Sequence, residues 1–263
     1  MKTLKHHAKR IVENFYLVLI LIFLYAPIVT MMVLSFNSSK SRTQWGGFTL
    51  QWYTQMFDSA TIMDALVNTL LIAFVSALIA TIIGTAASIA INSMKPLPRT
   101  IIMGITNIPM LNADIVTGIS LMLAFIAFGI SLGFQTILIA HITFNIPYVI
   151  LSVMPKLKQT NKSTYEAAMD LGANPFQTFQ KVVLKLSMPG VINGIVMVFL
   201  MAISSFVIPK LLGGGQFVLI GNLIESQFVS VGDWNFGSAI SLILAVLILV
   251  AMRLMKKMDV QDN

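Results

Sequence analysis

Ser163-Thr-Tyr-Glu-Ala-Ala-Met-Asp-Leu-Gly-Ala-Asn-Pro-Phe-Gln177 is the stretch on which the reading of this chain turns. It belongs to a polar island, 156–187, set between long apolar runs, and is the only part of the chain built to grip something outside a membrane. Ser163 and Glu166 have the spacing of a capping box, in which the hydroxyl caps a helix and the carboxylate reaches back to the cap's own N–H. A short helix then runs through Ala167, Ala168 and Leu171, and Gly172 supplies a left-handed stop. Asn174 caps a second helix with Pro175 at its first position, and Phe176, Phe179, Val182 and Val183 give that helix an apolar side. Pro189-Gly190 separates this hairpin from the apolar run that follows. Small Ala167 and Ala168 leave room for close approach by another protein. The plainer alternative is an amphipathic hairpin lying in a membrane interface. That hairpin has no special need of an alanine pair, a glycine stop and a returning proline together.

Working outward, the rest of the chain reads as lipid-embedded helix. Of 263 residues, 57% are hydrophobic and only 10% charged, with a mean hydropathy of +0.86; a soluble domain carries roughly 25% charge. About 20 apolar residues cross a bilayer as a helix, and six candidates emerge: 15–36, 65–91, 101–128 (interrupted), 134–154, 189–209 and 236–255. The basic start, Met1 to Arg10, resembles a signal peptide, but the apolar run after it is longer than a signal core and no small-x-small site follows. It reads as an uncleaved first span behind a basic tail, 1–14, with 15–263 as a single six-helix domain.

Cations accumulate in cytoplasmic loops. With the N-terminus inside and six alternating spans, fourteen of the seventeen Lys and Arg residues fall on the inner side. Only Lys40, Arg42 and Lys210 fall outside. The expectation is therefore an all-α, multi-pass protein with both termini and the 156–187 hairpin in the cytoplasm. Basic charge so placed reports topology rather than nucleic acid. Ala80, Gly84 and Ser88 in the second span recur at four-residue spacing, a small-residue face for tight helix packing.

The third span is broken by Pro109-Met-Leu-Asn-Ala-Asp114. Irregular backbone at membrane depth is tolerated only inside protein or along a wet cavity, and Asp114 is the one carboxylate within a predicted span. Buried acids are costly and often functional. Either Asn112 or Asp114 caps the helix beginning at Ile115 and does no more, or the acid also lines a substrate pathway. Two loops on the outer side are substantial. In 37–64, Trp45, Trp52 and Tyr53 fit an interfacial aromatic belt, or a rim where a delivery protein docks. The other, 210–235, holds Gly213-Gly-Gly215, Glu225, Asp233 and Trp234.

Nothing in the chain supports catalysis. There is no phosphate-binding loop with its lysine and hydroxyl, no nucleophile with a base, and no cysteine, which excludes thiolate sites. His6 and His7 sit in the basic tail and His141 stands alone in the fourth span, without a partner at metal spacing. His141 reads as a packed or hydrogen-bonded helix residue.

Glu166-Ala-Ala-x-x-x-Gly172, followed by Val182 and Pro189-Gly190, resembles the EAA loop of ABC importer permeases. Residues 30–200 look like the second permease subunit of spermidine/putrescine importers. That likeness is carried by Phe36-Asn-Ser, Trp45-Gly-Gly-Phe-Thr-Leu-Gln-Trp-Tyr53, Asn107-Ile-Pro-Met-Leu-Asn-Ala-Asp-Ile-Val-Thr-Gly118 and His141-Ile-Thr-Phe-Asn-Ile-Pro-Tyr148. Lys185 stands where a proline is usual, and Ser204-Ser205 where an acidic pair is common. From Ser205 to Ser238 the pattern is closer to the first permease subunit.

The resemblance implies a permease with the fold of binding-protein-dependent importers, working in a bacterial inner membrane. Implied partners are a second permease, two ATPase subunits that bind ATP and Mg, and an extracytoplasmic binding protein. Glu166, Ala167, Ala168, Gly172 and Pro189 become the coupling residues. A polyamine becomes the expected substrate, with Asp114, Trp45, Ser204 and Ser205 as pathway candidates. Three alternatives stay open: an ABC importer for another small solute, an ion-coupled secondary transporter, which should show repeat halves and several embedded polar sites, and a membrane scaffold that recruits a partner through the hairpin.

Overall fold

The computed structural model describes residues 2–39, 41, 43–159 and 162–261. Lys40 and Arg42, two of the three cations expected outside, lie beyond the described residues. So do the side chains of Lys2, Lys5, Lys9, Arg10, Lys162, Lys256 and Lys257. Among the described residues the secondary structure is helical, apart from one isolated antiparallel bridge between Asn37 and Phe48. The elements are α1 (Lys2–Leu34), α2 (Gln51–Asp58), α3 (Ala60–Asn92), α4 (Pro96–Leu111), α5 (Asp114–Ala127), α6 (Phe134–Gln159), α7 (Lys162–Asp170), α8 (Pro175–Thr178), α9 (Leu184–Ser204), α10 (Val207–Leu212), α11 (Ile220–Ser226) and α12 (Trp234–Gln261). Wider π-helical turns at Phe179–Val183 and Gln227–Val231 join α8 to α9 and follow α11.

Five helical segments are long and apolar enough to cross a membrane: Asn14–Leu34, Ala60–Asn92, Phe134–Gln159, Phe176–Ser204 and Trp234–Leu254. The sixth expected span falls on α4 and α5, apolar enough as a pair to make a sixth if they count as one span, and bent by 102° at their junction. The observed segments differ from the expected ones in informative ways. The basic tail is continuous with the first span in one helix from Lys2. The fifth span does not begin at Pro189: the helical path runs unbroken from Pro175, through the π turn, to Ser204. Proline lacks an N–H, which removes one hydrogen bond from a helix. Here Pro189 stays inside α9, and its neighbour Gly190 packs against Ser152 of α6. The same span stops at Ser204 rather than Pro209, because Ser205 turns extended (φ −69°, ψ 132°).

Two compact units are distinguishable, residues 1–60 with 224–246 and residues 61–223 with 247–263. In the larger unit, α6 and α9 form the most extensive helix pair. Glycine makes their approach possible: a Cβ on Gly190 would stand 2.9 Å from the Ser152 carbonyl oxygen, and the Ser152 hydroxyl donates to the Gly190 carbonyl at 2.9 Å. On α3 the small-residue face is buried as its spacing predicts, through Ala80, Gly84 and Ser88. A Cβ on Gly84 would meet Val149 of α6 at 2.7 Å. Val149, Val153 and Leu157 of α6 pack with Ala77 of α3 and Val198 of α9. Further along, Ile137, Ala140 and Phe144 pack with Ile72, Phe125, Ile208 and Leu212. Buried Thr69 of α3 accepts the Ile220 N–H at 2.8 Å, and Thr136 donates to the Leu212 carbonyl at 2.9 Å.

In the smaller unit, α1 leaves its apolar side chains exposed from Phe15 to Leu24, as a helix facing lipid or a partner chain would. The loop after it is organised by buried Asn37. Its carboxamide oxygen accepts the N–H of Gly46 at 2.8 Å and of Ser39 at 3.2 Å, and its N–H₂ donates to the Gln44 carbonyl at 2.9 Å. Trp52 is 4% exposed. Its indole N–H donates to the Asn37 carbonyl at 2.8 Å, and its ring meets Phe236 at 6.3 Å. Trp52 is thus a core residue and not a member of an aromatic belt, because its N–H finds a buried carbonyl. The Tyr53 hydroxyl is 2.8 Å from that of Ser35. Burial pushes the phenol above its ordinary range, and the bond to Ser35 pulls the other way.

Candidate functional site

Two places in the molecule depart from plain helix packing, and both hold residues singled out by the sequence. The first is the hairpin. Gly172 has φ +86°, the left-handed conformation that favours glycine. Its N–H donates to the Met169 carbonyl at 2.9 Å, and the Ala173 N–H donates to the Ala168 carbonyl at 3.2 Å. Those two bonds are the paired closure of a Schellman stop. Asn174 caps α8 as expected, and the cap is reciprocal. The Gln177 N–H donates to the Asn174 side-chain oxygen at 2.8 Å, and the Asn174 N–H donates to the Gln177 side-chain oxygen at 3.1 Å. Asn-x-x-Gln was a legible capping-box spacing.

The expected cap at Ser163 is displaced: α7 begins at Lys162, so Ser163 lies inside its first turn. Glu166 and Ala167 are exposed and Ala168 is half-buried. Apolar side chains crowd the same knuckle in the open, with Leu171 89% and Phe176 69% exposed. Behind them Val183, from the π turn, packs against the α3–α6–α9 core. The exposed knuckle is therefore wired by one continuous helix into the membrane-spanning bundle. Pro189 sits within that helix, half-buried, four residues after Lys185.

The second place is a cavity of ≈ 170 Å³ where two broken helices face α6. The first break lies between α4 and α5. Asn112 and Ala113 are extended, with ψ of 147° and 136°. Neither Asn112 nor Asp114 makes a side-chain cap bond; Ala113 is the cap position and Asp114 is the first helical residue. The cap-only reading of Asp114 thus gives way. The carboxylate stands in the first turn, where the helix dipole favours a negative charge, and it lines the cavity. The second break lies between α9 and α10, and brings Ser204, Ser205 and Phe206 to the same cavity. Three of the four pathway candidates, Asp114, Ser204 and Ser205, are therefore gathered in one place. Trp45, 57% exposed, belongs to the loop after α1 in the smaller unit.

The wall from α6 was missed as a site. His141, Phe144, Asn145 and Tyr148 form one face of that helix and line the cavity. The signal was present in their i, i+3, i+4, i+7 spacing. A lone histidine in an apolar run read as packing, not as part of a site.

The description "Binding-protein-dependent transport system inner membrane component" matches residues 80–259. The chain is 32% identical over 257 residues to the spermidine/putrescine transport system permease protein PotC of Escherichia coli K12, covering 97% of each chain. It is 32% identical over 212 residues to the putrescine transport system permease protein PotI of the same strain, covering 78% of this chain and 75% of that one. Its fold matches a crystal structure of a bacterial alginate ABC transporter with a TM-score of 0.74 at 15% identity, over 97% of this chain and 94% of that one. Residues 80–259 include both breaks, the α6 wall and the hairpin. The chain therefore belongs to the inner membrane components of binding-protein-dependent transport systems: it is a permease subunit and not itself an enzyme.

Proposed function

We propose that this chain is one transmembrane half of an ATP-driven polyamine importer. The observation that carries this reading is the end-to-end likeness, at 32% identity, to a spermidine/putrescine permease. The cavity is consistent with such a cargo: Asp114 supplies a carboxylate, Phe144, Tyr148 and Phe206 supply aromatic faces, and among the described residues no Lys or Arg lines it. Protonated amines favour both groups. A second permease completes the pore, two ATPase subunits bind ATP and Mg below it, and an extracytoplasmic binding protein delivers the substrate. The cation asymmetry supports a cytoplasmic position for both termini and the 156–187 hairpin. There Glu166, Ala167, Ala168 and Gly172 meet a groove on an ATPase subunit, and Leu171 and Phe176 add apolar contact. ATP binding closes the ATPases and displaces the hairpin, and the continuous helix through Pro189 carries the displacement to the Ser204–Ser205 break. The docked contact must differ in strength between the two states, since a contact equal in both shifts nothing. Trp45 forms part of the entrance on the outer side.

Uptake by the complete transporter reconstituted in vesicles tests this. Labelled spermidine or putrescine should accumulate with ATP, and unlabelled polyamine should compete where neutral osmolytes do not. Competition by neutral osmolytes, with none by polyamines, would assign a different cargo.

A further inference from the structure

We infer that His141 and Asn145 form, with Asp114, a subsite that holds one primary ammonium group of the cargo through its N–H bonds as well as its charge. This deepens the polyamine reading and rests on it. The evidence begins with two buried polar side chains, each with one nitrogen that the fold leaves unpaired. His141 is 2% and Asn145 3% exposed. Among the described residues neither His141 Nε2 nor Asn145 Nδ2 has a hydrogen-bond partner. Buried polar groups are paired in the great majority of cases, and each exception calls for an explanation. These two lie four residues apart on one face of α6, and both line the same cavity.

The histidine tautomer follows from its other nitrogen. Nδ1 is 2.9 Å from the Ile137 carbonyl oxygen. A carbonyl only accepts, so Nδ1 carries the hydrogen. An unpaired imidazolium at this depth would cost far more than a neutral ring. In the neutral ring Nε2 is then a bare acceptor. The Asn145 carboxamide presents oxygen or N–H₂ by a half-turn of its terminal torsion. Across the cavity the Ser204 hydroxyl gives its hydrogen to the Leu200 and Met201 carbonyls at 3.0 and 3.2 Å, which leaves its oxygen to accept. The C-terminal end of α9 lies there too, the negative end of a helix dipole. Asp114 adds a full negative charge.

The cavity is therefore rich in acceptors and, among the described residues, lined by no cation. A primary ammonium has three N–H donors and no acceptor. An anion would meet the carboxylate, and a quaternary ammonium would satisfy the charge and leave Nε2 unpaired.

The test uses the assembled transporter with its own partner subunits. Hydrogen bonds to charged groups are worth enough that losing one should reduce kcat/KM for spermidine uptake roughly tenfold. His141→Phe should show that loss, and His141→Gln, which returns an acceptor near the Nε2 position, should stay within about twofold. If His141→Phe fails to assemble, Asn145→Leu takes its place and should lose activity by a similar factor. A second readout separates recognition from packing. The purified transporter, carrying ¹⁵N-histidine and without the binding protein, is titrated with spermidine and then with bis-quaternary tetramethylenebis(trimethylammonium). The Nε2 resonance absent in His141→Gln should move with spermidine and not with the quaternary compound. No movement with spermidine, in a preparation that imports it, would overturn the subsite and leave the polyamine reading standing. Movement with both compounds would overturn the N–H recognition. A wild-type preparation that imports no polyamine would overturn both.

Discussion

Gly172 ends α7 at φ +86°, a conformation that costs a residue with a Cβ about 1–2 kcal/mol. Gly172→Val should loosen the hairpin while leaving the membrane-spanning bundle in place. The expected outcome is a transporter that assembles but whose ATP hydrolysis is no longer stimulated by loaded binding protein, read in an ATPase assay in vesicles. This residue was fully legible, because a glycine after a short helical run has few other uses. Asp114 was half legible. Its place in a break announced it, but whether it capped a helix depended on where the helix began, and a one-residue shift in α5 removed the cap. Asp114→Asn should lower polyamine uptake about tenfold or more with the complex intact, since a full charge facing an ammonium is replaced by a dipole. Unaltered uptake kinetics would return Asp114 to a local role. His141 was legible as a packed, hydrogen-bonded helix residue; the role proposed for it was not, because it depends on two breaks that are distant in sequence.

At the scale of elements, the chain uses proline and serine less simply than their propensities suggest. Pro109, Pro147, Pro155 and Pro189 all lie inside helices. The breaks fall instead at Asn112-Ala113 and Ser205, where the backbone turns extended. Sequence reasoning placed the first break within three residues, because Asn and Asp compete with helix through their own side-chain bonds. It missed the second, reading the span on to Pro209. It also ended the hairpin at Pro189-Gly190, where glycine in fact serves a close approach. Gly190→Ala would push a methyl to 2.9 Å from the Ser152 carbonyl oxygen. Overpacking of this kind costs about 1–3 kcal/mol. Thermal unfolding of the purified complex should therefore shift downward for Gly190→Ala. Gly104→Ala, where nothing lies within 4 Å of the added Cβ, should not shift it.

At the scale of the whole molecule, apolar length specified a multi-pass helical protein, and five long apolar helices with a sixth, bent pair are found. The ion-gradient alternative gives way to the family match. The bend of 102° between α4 and α5 could not be read from composition, since hydropathy carries no direction. The proposed docking rests on what the hairpin leaves exposed. Glu166→Lys should weaken co-purification with the ATPase subunit, since it reverses a charge at the face proposed to dock.

The central claim is that this knuckle touches a nucleotide-driven subunit and moves with it. The chain contains no cysteine, so Leu171→Cys, at a position 89% exposed, introduces a single thiol. Disulfide cross-linking of that thiol to cysteines placed around the ATPase groove, with and without ATP, tests the claim most directly. The account predicts a specific cross-link whose yield changes when ATP binds. A thiol that labels only from the lipid phase or the outer compartment, and forms no ATPase adduct in either state, would contradict it.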